Sequence, residues 1–271
     1  VSNWLIANPI PLKITSCNKD LNGGYGTCDE IGTSLPSRIL GILKKSSIKL
    51  PVLPLAYIAS YLKNKSKNVL YEEKFEDAIK QIKYGEIGGC IIYSSIVACE
   101  LECQLIREIK SINAKIKIIV VGSFATKFPN LYSEADHIIV GEPEKFFSEF
   151  SFLVEDFKNL KQIINSDLIN SLDELPTPDF EIMGYSKFSY SPMLPKPTGF
   201  IEASRGCPYS CGYYCTYGEN QGKTIRSFSP KRIVKDMILL KKRYGFRSFQ
   251  FRDPVFGLRK NFIEDFSNEI L

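Results

Sequence analysis

Between residues 205 and 215 the chain reads Arg-Gly-Cys-Pro-Tyr-Ser-Cys-Gly-Tyr-Tyr-Cys, which puts Cys207, Cys211 and Cys215 on one short loop. Three thiolates this close in sequence can wrap an iron–sulfur cluster of the 4Fe–4S type. With three ligands instead of four, one iron stays open to a substrate or cofactor. Gly206 and Gly212 allow the backbone to bend around such a group. A structural zinc site would require a fourth ligand, and no cysteine or histidine follows locally. The plain alternative is three unrelated buried thiols.

The loop must be held by regular elements, and the sequence supplies them. Phe200-Ile201-Glu202-Ala203 reads as a strand leading into it. Ser229-Pro230 reads as an N-cap with proline in the first turn, opening a helix to about Tyr244. Phe249-Gln250-Phe251 is the next strand and Phe262 to Leu271 the next helix. Upstream, strands at Trp4–Ala7, Asn68–Tyr71, Cys90–Tyr93, Ile116–Val121 and His137–Val140 alternate with helices. One helix follows Pro54 from Leu55 to Lys63, one runs from Glu76 to Lys83, one carries Leu101, Leu105, Ile109 and Ile112 at helical spacing, and one carries Phe146, Phe147 and Phe150. Five alternations predict an α/β fold with a doubly wound parallel sheet, flavodoxin-like or more generally Rossmann-like, over residues 1–150. Dense prolines, from Leu175-Pro176-Thr177-Pro178 to Pro197, mark residues 151–199 as a connector. Residues 200–271 then read as the first βα units of a TIM-type barrel, far short of the roughly 250 residues a whole barrel needs. The chain is therefore expected to be a fragment or half of a split enzyme.

The 271 residues are 44% hydrophobic with a formal charge of +5, a balance that fits a globular domain and gives no reason to expect nucleic acid as a partner. The densest basic stretch, Lys44-Lys45 with Lys49, reads as a solvated loop. No run approaches the roughly 18 apolar residues of a membrane span, and the N-terminus lacks the pattern of a signal peptide. Eight cysteines are too sparse for a disulfide scaffold and point to a reducing, cytoplasmic setting. His137 is the one histidine, so chemistry built on two histidines is excluded. Cys99 and Cys103, four apart on a helix, read as buried thiols; Cys17, Cys28 and the loop with Gly23, Gly24 and Gly26 carry no pattern tied to a ligand.

Several stretches, taken in their shared order, resemble the radical S-adenosylmethionine family, in its branch with an N-terminal cobalamin-binding domain. They are Pro51-Val52-Leu53-Pro54-Leu55-Ala56, Val121-Gly122-Ser123, Asp136 to Glu144 with Val140-Gly141-Glu142, Asp173-Glu174-Leu175-Pro176-Thr177-Pro178, Arg205-Gly206-Cys207-Pro208, and Phe251 to Phe256 with Asp253. The resemblance spans nearly the whole chain. It implies that Cys207, Cys211 and Cys215 hold a 4Fe–4S cluster whose open iron binds S-adenosylmethionine. One electron then cleaves the cofactor to a 5′-deoxyadenosyl radical, and some members of the branch methylate an unactivated carbon or phosphorus. It implies Tyr214 and Asp253 near S-adenosylmethionine. For cobalamin it implies Ser94, Ser95, Gly122, Ser123, Gly141 and Glu142. A small-molecule substrate and an electron donor such as ferredoxin or flavodoxin are the partners it implies. Two departures stand out: the cysteine spacing is three and three where the family has three and two, and no Asp-x-His-x-x-Gly motif supplies a lower ligand to cobalt. His137 opens a strand and reads as structural. A non-catalytic electron-transfer or redox protein, or an inactive fragment, is the competing reading.

Overall fold

A computed structural model describes residues 3–12, 17–19, 25–28, 32–152, 156–211 and 215–271. Its centre is a sheet of six parallel strands: β1 (Asn3–Ala7), β2 (Val69–Glu72), β3 (Ile87–Tyr93), β4 (Lys117–Val121), β5 (His137–Gly141) and β6 (Ile163–Ser166). The spatial order is β2-β1-β3-β4-β5-β6, so the order reverses between β1 and β3 as in doubly wound sheets. Alternating side chains along each strand feed two cores. Leu5, Cys90, Ile92, Ile118 and Val120 face one side, against α3 (Phe75–Tyr84), α4 (Cys99–Ile112) and the short α5 (Ser123–Lys127). Trp4, Ile6, Ile91, Ile119 and Val121 face the other, against α2 (Leu53–Asn64) and α6 (Pro143–Glu149). These strands are nearly all apolar because both faces are covered.

The predicted five strands are present within a residue or three of their expected ends, and a sixth lies inside the stretch read as connector. Ile163 and Ile164 pair with Ile138 and Ile139, which extends the sheet to Ser166. Helix α1 (Leu35–Ser47), capped by Ser34, also occupies a region read as loop, and Lys44 and Lys45 fall in its last turn. Cys17 and Cys28 face each other across a two-residue antiparallel ladder and are joined by a disulfide, where no pairing was expected.

Beyond the sheet, β7 (Thr198–Ile201) and β8 (Ser248–Phe251) pair in parallel with α8 (Pro230–Tyr244) between them, followed by α9 (Phe262–Ile270). This is one βαβ unit plus a helix; a barrel is not seen among the described residues. The unit shares the core on the α2 face, because Phe200, Ile233, Leu240 and Phe246 belong to the same buried cluster as Trp4 and Ile58. Helix α2 lies between the sheet and this unit, which is why it is apolar all round, with Leu55, Ile58 and Leu62 fully buried. Each such side chain contributes about 1.5–3 kcal/mol through burial. The proline-rich connector is tied down along its length. The Ser60 hydroxyl donates to the Thr177 carbonyl, the Asp179 amide donates to the Ala56 carbonyl, and the Asp179 carboxylate takes Lys63 at 3.1 Å and Arg243 at 3.2 Å.

Candidate functional site

The carboxyl ends of β4 and β5 open onto a small cleft with a cavity volume of about 70 Å³. One wall is Gly122, Ser123 and the Gly141–Glu144 turn; the other is Glu202, Arg205 and Arg252, with Tyr217, Asn220 and Gln221 of α7 (Tyr217–Asn220) and its C-cap at the rim. Strand carboxyl ends are where ligands bind in open parallel sheets. At Gly141 φ is +106° and an added Cβ would lie 2.0 Å from the Ser166 carbonyl oxygen, so the close passage of β6 requires glycine at this turn.

The second wall is a neck. Ser204 and Arg205 pair antiparallel with Ser227 and Arg226, and the cysteine loop is the excursion between them. The register sets Arg205 directly opposite Arg226, an arrangement unfavourable for like charges unless an anion lies between them. Glu142 is that anion. Its carboxylate accepts from Arg226 at 2.7 and 2.9 Å, accepts the Ile169 amide at 2.7 Å, and stands 3.6 Å from Arg205. Burial works against the charged form of Glu142, but Arg226, Arg205 and the Ile169 amide outweigh it and hold the carboxyl below its ordinary value.

Arg205 is buried and donates to two further carboxylates, Glu144 at 2.8 Å and Glu202 at 3.0 Å, with its guanidinium 5.5 Å from the Tyr57 ring centroid. Burial disfavours its charge, yet Glu144, Glu202 and Glu142 together hold it firmly protonated. Glu202 responds in the opposite sense. Burial pushes its carboxyl up to about 7; Arg205 pulls it back, and the neighbouring Glu144 adds to the rise. The second oxygen of Glu144, Oε2, is buried and has no hydrogen-bond partner.

The residues expected at the site divide clearly. Gly122, Ser123, Gly141 and Glu142 line the cleft. Ser94 and Ser95 do not: both are fully buried, Ser94 Oγ accepts the Ala125 amide at 2.9 Å, and Ser95 donates twice to Glu102. A cobalamin tail along these two serines therefore does not fit the site. His137 opens β5 at the opposite, amino edge of the sheet, with Nδ1 3.0 Å from the Lys161 carbonyl. Asp253 accepts the Ala203 amide and, at 2.7 Å, the Ser204 hydroxyl; burial raises its carboxyl while these donors pull it down. It positions the turn that leads into the neck. Tyr214 lies outside the described residues.

In the cysteine loop, Cys207 is buried with its amide donating to Gly222, Cys215 is half-buried and Cys211 is exposed. Gly206, at φ +89°, passes so close to Thr224 that a Cβ would lie 2.2 Å from its carbonyl oxygen. Among the described residues no three cysteine, histidine or carboxylate side chains stand close enough to hold a metal ion, so the three sulfurs as placed do not form a ligand set for a cluster. Nor is any helix among the described residues long and apolar enough to cross a membrane.

Sequence reading missed Glu144, Glu202, Arg205 and Arg226 as a group. The available signal was local: Glu142 and Glu144 alternate after a strand end, and Arg205 directly precedes the Gly-Cys pair.

No family model matches the chain. An uncharacterised methyltransferase from Pyrococcus horikoshii is 27% identical over 243 residues, covering 81% of this chain and 52% of the relative, so the chain spans about half the length of the protein it matches. The similarity is compatible with an enzyme of methyltransferase type.

Proposed function

We propose that the protein is an S-adenosylmethionine-dependent enzyme of methyltransferase type whose cofactor lies in the cleft between the sheet edge and the neck. The observation that carries this reading is the meeting of two separate features in one cavity: the β4 and β5 turns, and both ends of the cysteine loop, Arg205 before it and Tyr217 to Gln221 after it. The similarity to a protein described as a methyltransferase supports the reaction class. Within this arrangement the Glu142–Arg226 and Glu202–Arg205–Glu144 contacts fix the walls.

The finer proposal is that the enzyme is a radical S-adenosylmethionine protein whose Cys207, Cys211 and Cys215 take up a 4Fe–4S cluster on loading, which draws the loop together. The bound cluster would supply one-electron reduction of S-adenosylmethionine; the spacing and the Arg-Gly-Cys-Pro opening support it. Anaerobic reconstitution with iron and sulfide tests both levels, read out as bound iron and as S-adenosylmethionine consumed to S-adenosylhomocysteine or to 5′-deoxyadenosine. Cluster uptake in the parent and its loss in Cys207→Ala, Cys211→Ala and Cys215→Ala each support the finer proposal. Methyl transfer without iron dependence leaves the coarser one and removes the cluster. A protein that binds no S-adenosylmethionine under either condition refutes both.

A further inference from the structure

We infer that the exposed apolar face of α1, with residues 190–194 beside its end, is a docking surface for an anionic lipid bilayer. The helix lies on the membrane and does not cross it. Its 13 residues span about 20 Å, short of the roughly 30 Å of a hydrocarbon core. The inference is independent of the reading of the cleft.

The seating of α1 is the first ground. At 3.6 residues per turn, Ile42, Leu35, Ile39, Leu43 and Leu40 fall on one arc of about 160°. Lys44, Ser37, Gly41, Lys45 and Arg38 fall on the other. A surface helix ordinarily turns its apolar arc to the core. Here the order is inverted. Gly41, in the middle of the polar arc, is buried, and Arg38 and Lys44 on either side are half-buried, so the helix meets the body of the protein through that side. The apolar side chains point away, Leu35 71% exposed and the other four at least half exposed. The helix forms without a core contact for them because Ser34 caps it, accepting the Ser37 amide, and Pro36 stands in its first turn. A contiguous exposed apolar patch of this kind marks a membrane or protein contact.

Charge names the partner. The sequence has no Asp or Glu between Glu30 and Glu72, while Arg38, Lys44, Lys45 and Lys49 lie on or just after α1. Lys49 is held by Glu73. Arg38 and Lys44 border the apolar arc, one along each edge, and Lys45 is exposed. Cations so placed reach lipid headgroups while the apolar arc enters the acyl boundary. A second strip extends the surface. The Lys49 and Ser189 backbones exchange hydrogen bonds at 2.8 and 3.0 Å, which sets residues 190–194 beside the end of the helix. There Met193 is 91% exposed, Tyr190 is exposed, and so are the flanking Lys187 and Lys196. No acidic residue lies between Glu181 and Glu202. A tyrosine, with its apolar ring and polar tip, suits a membrane–water interface. A second copy seated on this face would set Arg38, Lys44 and Lys45 against their own counterparts, with no carboxylate in either strip. An anionic bilayer supplies apolar depth and negative charge in one surface.

Co-sedimentation of the whole chain with lipid vesicles tests this. The probes are vesicles of phosphatidylglycerol and phosphatidylcholine in equal parts, and vesicles of phosphatidylcholine alone. Binding to the first is expected to be about tenfold stronger or more, and to weaken as sodium chloride screens the headgroups. The double variant Ile39→Ser with Leu43→Ser should bind the anionic vesicles about tenfold less well or weaker still. Both side chains are exposed, so the fold is retained, which circular dichroism checks. Should that variant fold poorly, Arg38→Gln with Lys45→Gln keeps the test, with a loss expected on anionic vesicles only. Ile238→Ser with Leu239→Ser, at exposed apolar positions of α8, should leave binding unchanged. The inference is overturned if the parent does not bind the anionic vesicles, if the α1 variants bind as the parent does, or if the α8 variant loses as much. It is also overturned if Ile39→Ser with Leu43→Ser changes the mass seen by light scattering without vesicles, because α1 then joins two copies of the chain.

Discussion

Glu202 is a carboxyl buried beside another carboxyl and one guanidinium, and it gives the folded protein a stability that depends on pH in an unusual direction. Its ordinary value is 4.5 and the folded site moves it up to about 7, chiefly by burial. Between these values the folded protein holds a proton that the unfolded chain has released. Stability from this group is therefore complete below 4.5 and is lost as pH rises through about 7, since the folded state binds more protons across that window. The interval corresponds to about 3 kcal/mol at most. Glutamine at this position cannot titrate, and its amide oxygen can still accept from Arg205. Glu142 and Asp179, both held below their ordinary values, act in the reverse sense, losing stability as pH falls; they are common to both proteins and cancel in a difference. Urea unfolding followed by the fluorescence of Trp4, buried in the same core, measures that difference. From about pH 5 to about pH 8 the parent should lose up to about 3 kcal/mol relative to Glu202→Gln, with the steepest change between the two values, near pH 6, and little further loss above about 7. A difference that is flat with pH, or a parent that gains on the variant as pH rises, refutes the account of Glu202.

Other perturbations follow from the same geometry. Gly141→Ala forces a Cβ against the Ser166 carbonyl at a positive φ and should lower stability by about 2 kcal/mol or more in thermal unfolding, with β6 the element that separates. Lys19 and Glu102 form a fully buried pair at 2.7 Å, so Lys19→Met should cost about 3 kcal/mol by leaving Glu102 uncompensated; the double variant with Glu102→Gln should recover part of that loss in a denaturation cycle. Glu142→Gln should loosen the neck specifically, seen as faster amide exchange at residues 204–207 and 226–227 with little change at the central strands β3 and β4.

What the sequence discloses is set by how locally each feature is encoded. Leu101, Leu105, Ile109 and Ile112 repeat at helical spacing within one segment, and Ser229-Pro230 signals a helix start on its own; both elements are where they were expected. Strand β6 has two apolar residues set between Gln162 and Asn165, too little to carry a period, and it forms because Ile138 and Ile139 offer it a buried edge. Helix α1 has a Ser34 cap, but Leu35, Ile39, Leu40 and Leu43 are all at least half exposed, so no core pairing announces it. The cleft is the extreme case. Arg205 meets a carboxylate 61 residues away and Arg226 one 84 residues away, and no periodicity or spacing relates them. The serines at the end of β3 were legible as polar residues at a strand end, where ligands bind, but the nearer demands of Glu102 and the Ala125 amide claim them.

The neck explains why two pieces that are separate in sequence end in one cavity. A two-residue ladder carries too few hydrogen bonds to hold a twenty-residue excursion in place, and here it also sets two arginines side by side. Two guanidiniums in that register repel each other unless a carboxylate bridges them. The bridging group comes from the turn after β5, whose position is fixed by the parallel sheet and by the glycine at 141. The loop bearing Cys207, Cys211 and Cys215 is therefore located by the sheet, through charge, and not by its own short strands. A buried ion cluster is a weak source of net stability, because desolvation cancels much of the attraction. Its contribution is geometric: the contacts of Arg205 with Glu144 and Glu202 and of Arg226 with Glu142 turn the ends of the cysteine loop toward the carboxyl edge of β4 and β5.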